Sequence, residues 1–240
     1  MPLSAHIEEM VRRLAIVLVI AGVATIVTFP IAERVIVRLW FGVLPETVTT
    51  SAGETIQTAP RVYGPLELKF AELKTAGLAG LVAALPAFVY QSYRFMRPGL
   101  YPNERRYYLA AVPTSLVLAV VGVAFGYLLV LPLLFDYFLY YSQGTAEIAF
   151  ALGQTYGLML VLLGTLAVTF QIPLFVMLAV MMGVTTRRRL AELRLYFWLA
   201  FAGIAFAINP DLTGVAPFVV GGTMVALFEG TLLLLRWTGR

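Results

Sequence analysis

The feature that most constrains this chain is a series of long apolar stretches separated by short segments that carry arginine. A helix that crosses the hydrocarbon core of a bilayer needs about 20 mostly apolar residues. Six stretches meet or approach that length: 14–32, 76–95, 107–131, 154–182, 193–208 and 215–235. The sequence therefore predicts an all-α integral membrane protein, with six transmembrane helices in one polytopic domain over residues 1–240.

The composition agrees with a membrane location and narrows the chemistry. Hydrophobic residues make up 60% of the chain and charged residues 12%, about half the charged fraction of a soluble domain. The chain has no cysteine and one histidine, His6. We therefore expect no disulfide framework, no metal centre and no cofactor. Neither a Gly-x-Ser-x-Gly elbow nor a phosphate-binding loop is present, so an enzyme is not expected.

The basic residues predict the orientation of the chain, because short cytoplasmic loops collect arginine and lysine. If the N-terminus is cytoplasmic, six spans return the C-terminus to the cytoplasm. The cytoplasmic side then holds Arg12, Arg13, Arg94, Arg97, Arg105, Arg106, Arg187, Arg188, Arg189, Arg194, Arg236 and Arg240, and the outer side holds Arg34, Arg38, Arg61, Lys69 and Lys74. This asymmetry predicts that both termini are cytoplasmic, and it explains the net charge of +4 without a nucleic-acid partner.

Several segments carry more local predictions. We expect the third stretch to bend near Pro132 and to continue along the outer surface. The first outer loop is expected to hold a short interfacial helix over 33–43 and an irregular, threonine-rich loop over 47–58. Asn-Pro-Asp initiates turns, so 209–214 is predicted to join the last two helices in a tight hairpin.

The segment after the second stretch carries the most specific motif. Seven residues form it: Gln91, Phe95, Pro98, Leu100, Tyr101, Glu104 and Arg105. Their order and spacing resemble a loop of the TatC family, the polytopic receptor subunit of the twin-arginine protein translocase. The N-terminal segment 6–14 resembles the family's His-Leu-x-Glu-Leu-Arg-x-Arg-Leu, although Val11 replaces its first arginine. Further matches occur at Lys74, Pro86, Phe170 to Pro173, Asn209 to Asp211, and Phe228 with Glu229.

This resemblance implies a curved, concave bundle and Sec-independent translocation of folded proteins. Family members bind signal peptides with paired arginines at the cytoplasmic face, and the matching acidic positions here are Glu9 and Glu104. A carboxylate accepts a guanidinium in two parallel charge-assisted hydrogen bonds, a geometry that lysine cannot reproduce. Phe95 and Tyr101 are expected to pack against the peptide, and Arg105 belongs to the same predicted signal-peptide site.

The resemblance also implies partners and an energy source. Single-span TatA-like and TatB-like subunits are the expected protein partners, the bilayer of the cell (inner or cytoplasmic) membrane is the expected surroundings, and the proton-motive force is the expected driving force. The sequence leaves open a homo-oligomer within the complex and a bacterial or archaeal source.

Polar residues in or near the last three spans complete the predicted site. Gln171 stands where the family usually has glutamate, so it either serves a function without the titratable charge or makes a helix–helix hydrogen bond. Glu229, near the inner end of the last helix, is either an interfacial residue or without a functional role. Asn209, Asp211 and Thr213 are predicted to help dock the partner subunits.

Two other classes of function are alternatives to the receptor. A small-solute secondary transporter would need convergent polar side chains at mid-membrane, where Gln171 is nearly alone. An intramembrane enzyme would need a nucleophile and a base, and no such pair is evident. For Glu9 and Glu104 the structural alternative is that they only neutralise Arg12, Arg13 and Arg105.

Overall fold

A computed structural model describes residues 3–49, 55–97, 101–142, 150–209 and 213–238. The α-helices in these ranges are α1 (Leu3–Thr28), α2 (Ala32–Val43), α3 (Glu67–Met96), α4 (Pro102–Phe125), α5 (Leu131–Ser142), α6 (Gly157–Thr169), α7 (Ile172–Met181), α8 (Arg187–Glu192), α9 (Arg194–Ile208) and α10 (Val215–Trp237). A 3₁₀ turn joins α1 to α2 at Phe29–Ile31, and π-helical turns precede α5 and α6 at Gly126–Val130 and Leu152–Tyr156. Two short strands, β1 (Thr47–Thr49) and β2 (Thr55–Gln57), pair antiparallel.

Within the described ranges the helices form six passages, each antiparallel to the one before it: α1, α3, α4 with α5, α6 with α7, α9, and α10. By length and apolar composition, five helical stretches of the described chain are able to cross a membrane: Ile7–Val43, Glu67–Met96, Arg105–Tyr141, Leu152–Met181 and Val215–Trp237. The passage formed by α9 is apolar but has 15 residues, a length of about 22 Å. Because the number of passages is even, the start of α1 and the end of α10 lie on the same side of the bundle, which is called here the terminal side. The opposite side carries β1 and β2 and is called the hairpin side.

Contacts between distant side chains hold neighbouring passages in register. Thr75 on α3 and Tyr156, before α6, share a buried hydrogen bond of 2.8 Å between their hydroxyl oxygens. On the terminal side, the rings of Tyr93 and Tyr108 lie 5.6 Å apart and join α3 to α4. At Gly122, α4 approaches the Leu166 carbonyl of α6 so closely that an added Cβ would lie 2.6 Å from that oxygen. Small residues permit this close approach of helices in a membrane.

Prolines lie beside two of the irregular points in the middle passages of the described chain. The chain stays helical through Pro132, and the helix widens to a π turn immediately before it, at Gly126–Val130. A proline has no N–H and crowds the carbonyl four residues earlier, and a wider turn accommodates both effects. Between α6 and α7 the helix is interrupted at Phe170 and Gln171, just before Pro173.

The hairpin side is more ordered than the sequence suggested. The helix predicted over 33–43 is confirmed as α2, whose buried face consists of Ala32, Ile36, Trp40 and Val43. The prediction of an irregular loop over 47–58 is wrong where β1 and β2 form. In this hairpin Thr47 pairs with Gln57 and Thr49 pairs with Thr55. Threonine, valine and isoleucine favour strands because their branched side chains fit a pleated surface, and this preference outweighs the polar composition. Trp40 anchors the hairpin by donating from Nε1 to the Thr58 carbonyl over 2.9 Å.

Candidate functional site

Glu9 lies on the terminal side, where α1 packs against α3. Its carboxylate oxygen Oε1 accepts hydrogen bonds from Nε of Arg13, over 3.1 Å, and from Nη2 of the same guanidinium. Arg13 also donates from Nη1 to Oε1 of Gln91 on α3, over 3.4 Å. The side chains of Arg13 and Glu9 are 18% and 41% exposed, so the pair lies at a partly desolvated edge of the bundle. The sequence left two roles open for Glu9, a ligand for the signal peptide and a partner for nearby arginines. In the structure of the isolated chain Glu9 pairs with Arg13.

The other predicted signal-peptide residues lie at the end of α3 and the start of α4. Phe95 is half-buried in the last turn of α3, and Tyr101, directly before α4, is 74% exposed. Arg105 donates from Nη2 to the Arg97 carbonyl over 3.5 Å, and its Nε is buried without a hydrogen-bond partner among the described atoms. Glu104 lies in the first turn of α4, and its side chain is outside the described residues.

A tyrosine cluster brings these segments together. Tyr93 follows Gln91 by two residues on α3 and packs against both Tyr90 and Tyr108. Tyr93 and Tyr108 are buried, with 7% and 3% of their surface exposed. The Glu104 position precedes Tyr108 by one turn of α4, about 6 Å along the helix axis. The N-terminal segment, the end of α3 and the start of α4 thus meet at one edge, which places two acidic positions at the same end of the bundle.

Gln171 is buried at the break between α6 and α7. Its Nε2 donates to the carbonyls of Ser115 on α4, over 3.1 Å, and of Ala167, over 3.2 Å. The helix–helix hydrogen bond foreseen as one alternative for this residue is therefore present. Its Oε1 is buried and has no hydrogen-bond partner in the described part of the chain. One acceptor thus remains for a polar group that approaches this depth.

Glu229 ties the last two passages together. It accepts a hydrogen bond from Nε1 of Trp198 over 3.2 Å and lies 3.8 Å from Nε of Arg194, both at the start of α9. Its side chain is 27% exposed. The pairing of α9 with α10 is completed by the stacked rings of Phe197 and Phe228, whose centroids are 4.8 Å apart.

The predicted docking residues surround the turn between α9 and α10. Asn209 is buried, donates from Nδ2 to the Ala205 carbonyl over 2.8 Å, and has an Oδ1 without a partner among the described atoms. Thr213 is exposed and accepts a hydrogen bond from the Val215 amide over 3.4 Å. Asp211 lies outside the described residues, so the structure brings two of the three predicted docking residues to this turn.

A groove of about 700 Å³ runs between α3, α6, α9 and α10. Its walls are mostly apolar side chains such as Leu78 and Phe201, with Lys74 towards the hairpin side and Thr169 deeper in the bundle. A transporter for a polar solute would need several convergent polar groups along such a path, and this lining argues against that alternative. The described residues also include no group of three or more histidine, aspartate or glutamate side chains placed to hold a metal ion.

Sequence reasoning anticipated one polar contact and missed another. The spacing of Glu9 and Arg13, four residues apart on a helix, is a recognised signal for an ion pair, and neutralisation of Arg13 was one of the alternatives predicted for Glu9. No comparable signal exists for Glu67, whose carboxylate accepts hydrogen bonds from the amides of Tyr63 (2.7 Å), Gly64 (3.3 Å) and Gly153 (2.5 Å). The third of these partners comes from a segment 86 residues away.

Together, the passages and the polar edge define a class: a multi-spanning helical membrane protein whose terminal side brings Glu9, Arg13 and Gln91 together beside the start of α4. Comparison of the sequence with protein families makes this more specific. The sequence model of the family described as Sec-independent protein translocase protein (TatC) matches residues 5–222. The chain belongs to this family, whose members are components of a Sec-independent protein translocase and not a class of catalytic enzymes.

Individual relatives agree with this assignment. A Sec-independent protein translocase protein TatCo of Haloferax volcanii is 56% identical over 254 residues, which cover 100% of this chain and 58% of the relative. The chain thus spans a little over half the length of that protein. A Sec-independent protein translocase protein TatC of Methanocella arvoryzae is 29% identical and is covered over 94% of its length, against 99% of this chain.

A solved structure matches the fold. The crystal structure of a twin-arginine translocase receptor, TatC, is similar to this chain with a TM-score of 0.80, covering 98% of this chain and 100% of that one at 24% sequence identity. This likeness confirms the predicted all-helical membrane fold.

Proposed function

We propose that this chain is the receptor of a twin-arginine translocase, which captures folded precursor proteins by signal peptides that carry paired arginines. In this proposal the terminal side faces the cytoplasm of the cell, and the binding edge consists of Glu9 and Glu104 with Phe95, Tyr101 and Arg105. Membership of the TatC family supports it. The chain then assembles with single-span TatA-like and TatB-like subunits, and the proton-motive force drives transport.

One observation carries the proposal: Glu9 already holds a guanidinium. Arg13 presents Nε and Nη2 to one oxygen of the Glu9 carboxylate, which is how this edge would hold an arginine of a signal peptide. Because Glu9 keeps 41% of its side-chain surface exposed, an incoming peptide can reach it. An incoming arginine then either displaces Arg13 or shares the carboxylate with it.

The same chemistry supplies selectivity for arginine over lysine. Hydrogen bonds to charged groups contribute about 1.5–3 kcal/mol when they are partly desolvated, and a planar guanidinium makes two of them at once. Lysine is a compact, strongly hydrated point charge and loses the second bond. A second acidic position in the first turn of α4, Glu104, extends this preference to a pair of arginines.

The orientation follows from the basic residues and is open to direct test. Because the chain has no cysteine, single cysteines can be introduced without removing native ones. Thr238 is exposed on the terminal side and Gln57 on the hairpin side. With a membrane-impermeant maleimide, T238C is expected to react only in inside-out vesicles and Q57C only in intact cells. The opposite pattern would reverse the orientation.

In this proposal the partner subunits contact polar residues near the turn between α9 and α10. Asn209 and Thr213, with Asp211 next to them in the sequence, offer hydrogen-bonding groups beside the exposed apolar surface of α9. We assign these three residues to contacts with the single-span subunits. Gln171 serves inside the bundle, where its Nε2 donates to the Ser115 carbonyl of α4, and Glu229 connects α9 with α10.

The receptor proposal is tested by crosslinking a radiolabelled twin-arginine signal peptide to the protein in membranes. The comparison includes wild type, Glu9→Ala, Glu104→Ala and the double variant, with an Arg-Arg to Lys-Lys peptide as the ligand control. Glu192→Ala is the matched protein control, since Glu192 is an exposed acid on the same side that pairs with Arg188. We expect each single change to weaken crosslinking, the double change to abolish it, and the control to have no effect.

Two outcomes would count against the proposal in different ways. If the double variant crosslinks as wild type does, the assignment of Glu9 and Glu104 is wrong. If wild type fails to crosslink even with the single-span subunits present, the receptor function itself is wrong. A solute-uptake assay in vesicles would then test the transporter alternative.

A further inference from the structure

A small cavity adjoins the hairpin-side end of the groove between α3, α6, α9 and α10. Its volume is about 270 Å³, and its walls come from the first turns of α3 and from the helix that leads into α6, among them Glu67, Ala71, Lys74, Gly153 and Gly157. Lys74 and Gly157 also line the groove. The cavity is therefore the place where the groove would continue to the hairpin-side surface.

The Glu67 carboxylate bridges the two segments that border this cavity. Its Oε2 accepts hydrogen bonds from the amides of Tyr63, over 2.7 Å, and of Gly64, over 3.3 Å. Its Oε1 accepts a hydrogen bond from the Gly153 amide over 2.5 Å, at the start of the π turn that leads into α6. One side chain thus holds the segment before α3, called here the strap (residues 61–64), against the opposite wall of the cavity.

Backbone hydrogen bonds reinforce the contact between the strap and that wall. The Arg61 amide donates to the Phe150 carbonyl, and the Leu152 amide donates to the Arg61 carbonyl, each over 2.9 Å. These two bonds form a parallel bridge between Arg61 and Ala151. The strap and the segment that leads into α6 therefore lie side by side, and the carboxylate ties their ends together.

Backbone amides, and not cations, hold this carboxylate. Glu67 forms no ion pair within the described part of the chain. Lys69 pairs instead with Glu72 over 2.8 Å, and Lys74 follows Glu67 by seven residues, or about 10 Å along α3. Both carboxylate oxygens therefore serve as acceptors for the two segments, which a glutamine amide, with one oxygen and one NH₂ donor, could not do.

Glycine at position 153 permits the close approach of the carboxylate. A Cβ added to Gly153 would lie 2.6 Å from Oε1 and 3.1 Å from Cγ of Glu67, inside the ordinary contact distance of about 3.5 Å. These atoms belong to a flexible side chain, so an alanine at position 153 would displace the carboxylate without moving the helices. The contact can thus be broken from either partner, and the charge is kept when the change is at Gly153.

We propose that Glu67 is the latch of a gate at the hairpin-side end of the groove. When the latch is made, the strap and the start of α6 separate the groove from the aqueous phase on that side. When it is released, the strap moves aside and the groove becomes continuous with that phase. Local opening of a loop that few hydrogen bonds hold does not require the helices to unfold. The gate lies at the opposite end of the bundle from the proposed peptide site, so it goes beyond the receptor proposal and its test needs no signal peptide.

The test measures how fast a cysteine inside the cavity reacts with a hydrophilic maleimide in nanodiscs. Ala71 lines the cavity and is 3% exposed, and the chain has no native cysteine, so Ala71→Cys reports opening. Its rate is divided by the rate of Gln57→Cys, an exposed position on the same side, in the same background. With the latch intact, we expect Ala71→Cys to be slower by roughly tenfold or more.

Two variants should open the gate. Glu67→Gln and Gly153→Ala should each raise the normalised rate by roughly tenfold, the factor expected for one lost hydrogen bond to a charged group. Gly77→Ala is the matched control and should leave the rate unchanged, because Gly77 lines the groove and an added Cβ there has nothing within 4 Å. Since the two variants break the same contact, the double variant should open the gate no further than the stronger single variant.

Three results would overturn the gate. If Ala71→Cys reacts as fast as Gln57→Cys without a further change, the cavity is already open. If either Glu67→Gln or Gly153→Ala leaves the normalised rate unchanged, their contact does not close it. If the two effects multiply in the double variant, or the control reacts as fast as the variants, a general loss of packing and not one latch explains the result.

Hydrogen exchange of the cysteine-free chain guards against a variant that fails to fold. Gly153→Ala should speed exchange at the amides of Tyr63 and Gly64, which lie far away in the sequence, and should leave the middle of α3 and of α6 as protected as in wild type. Unchanged exchange at Tyr63 and Gly64 would overturn the proposal. Faster exchange throughout both helices would also overturn it, because release of the latch would then be inseparable from unfolding.

Discussion

Replacing Arg13 with glutamine should strengthen the binding of a twin-arginine signal peptide. In the isolated chain, Arg13 occupies the Glu9 carboxylate through Nε and Nη2 and is held in place by Gln91. If Glu9 is a ligand for the peptide, Arg13 competes for it. Arg13→Gln removes the competitor and keeps a side chain that can still hydrogen-bond to its neighbours.

The expected gain follows from the exposure of the pair. Ion pairs near the surface contribute about 0.2–1 kcal/mol, and the lower exposure of Arg13, at 18%, favours the upper part of that range. The peptide would no longer have to displace Arg13, so its Kd should fall by about twofold to fivefold, since about 1.4 kcal/mol corresponds to a factor of ten. Fluorescence anisotropy of a labelled signal peptide, titrated with the protein in nanodiscs at constant salt, measures this change.

Arg12→Gln is the matched control for Arg13→Gln. Arg12 is exposed in the same turn of α1 and makes no ion pair among the described residues, so its loss changes the net charge equally without freeing Glu9. The reasoning is refuted if both variants shift the Kd by the same factor. It is also refuted if Arg13→Gln weakens binding, because Arg13 would then serve as a support for Glu9.

Three further predictions concern the scaffold. Gly122→Ala should lower the free energy of unfolding by about 1–3 kcal/mol, because the new methyl group meets the Leu166 carbonyl at 2.6 Å. The control Gly222→Ala should be tolerated, because an added Cβ there has nothing within 4 Å. Equal melting temperatures of the two variants in detergent would contradict this. Gln171→Leu should cost about 0.6–1.7 kcal/mol through the lost interhelical hydrogen bond, measured by denaturant unfolding in micelles, and an unchanged midpoint would be the contrary result. Glu67→Gln should speed hydrogen exchange at the amides of residues 63, 64 and 153, which donate hydrogen bonds to the Glu67 carboxylate. Unchanged exchange at these amides would show that the negative charge is not needed for their protection.

The helices were the most predictable part of the fold. Membrane-crossing helices need a long apolar stretch, and that requirement is local, so the sequence located each passage and even the short helix α9. The pairing of β1 with β2 was missed because threonine is common in both loops and strands, and only the cross-strand partners distinguish the two. The contact of Glu67 with Gly153 joins segments that meet only after α3 and α6 have packed.

The candidate site was predictable only in part: its local motif could be located from the sequence, but its contacts between helices could not. The motif from Gln91 to Arg105 placed Phe95, Tyr101 and Glu104 at the end of α3 and the start of α4, because short motifs fix their own local geometry. That Gln91 reaches Arg13 on α1 could not be foreseen, since it depends on how α1 crosses α3. The groove and the small cavity at its end depend on the packing of several helices, so no single stretch of sequence predicts them.

A double-mutant cycle between the protein and the peptide tests the central claim most directly. Kd is measured for wild type and Glu9→Gln with a signal peptide that carries Arg-Arg and with one in which each arginine in turn is lysine. If Glu9 binds one of the arginines, replacing that arginine should cost about tenfold in wild type and little in Glu9→Gln, a coupling of roughly 1.4 kcal/mol. If the effects of the two changes simply multiply for both arginines, Glu9 does not contact the twin-arginine pair and the proposed receptor site is wrong.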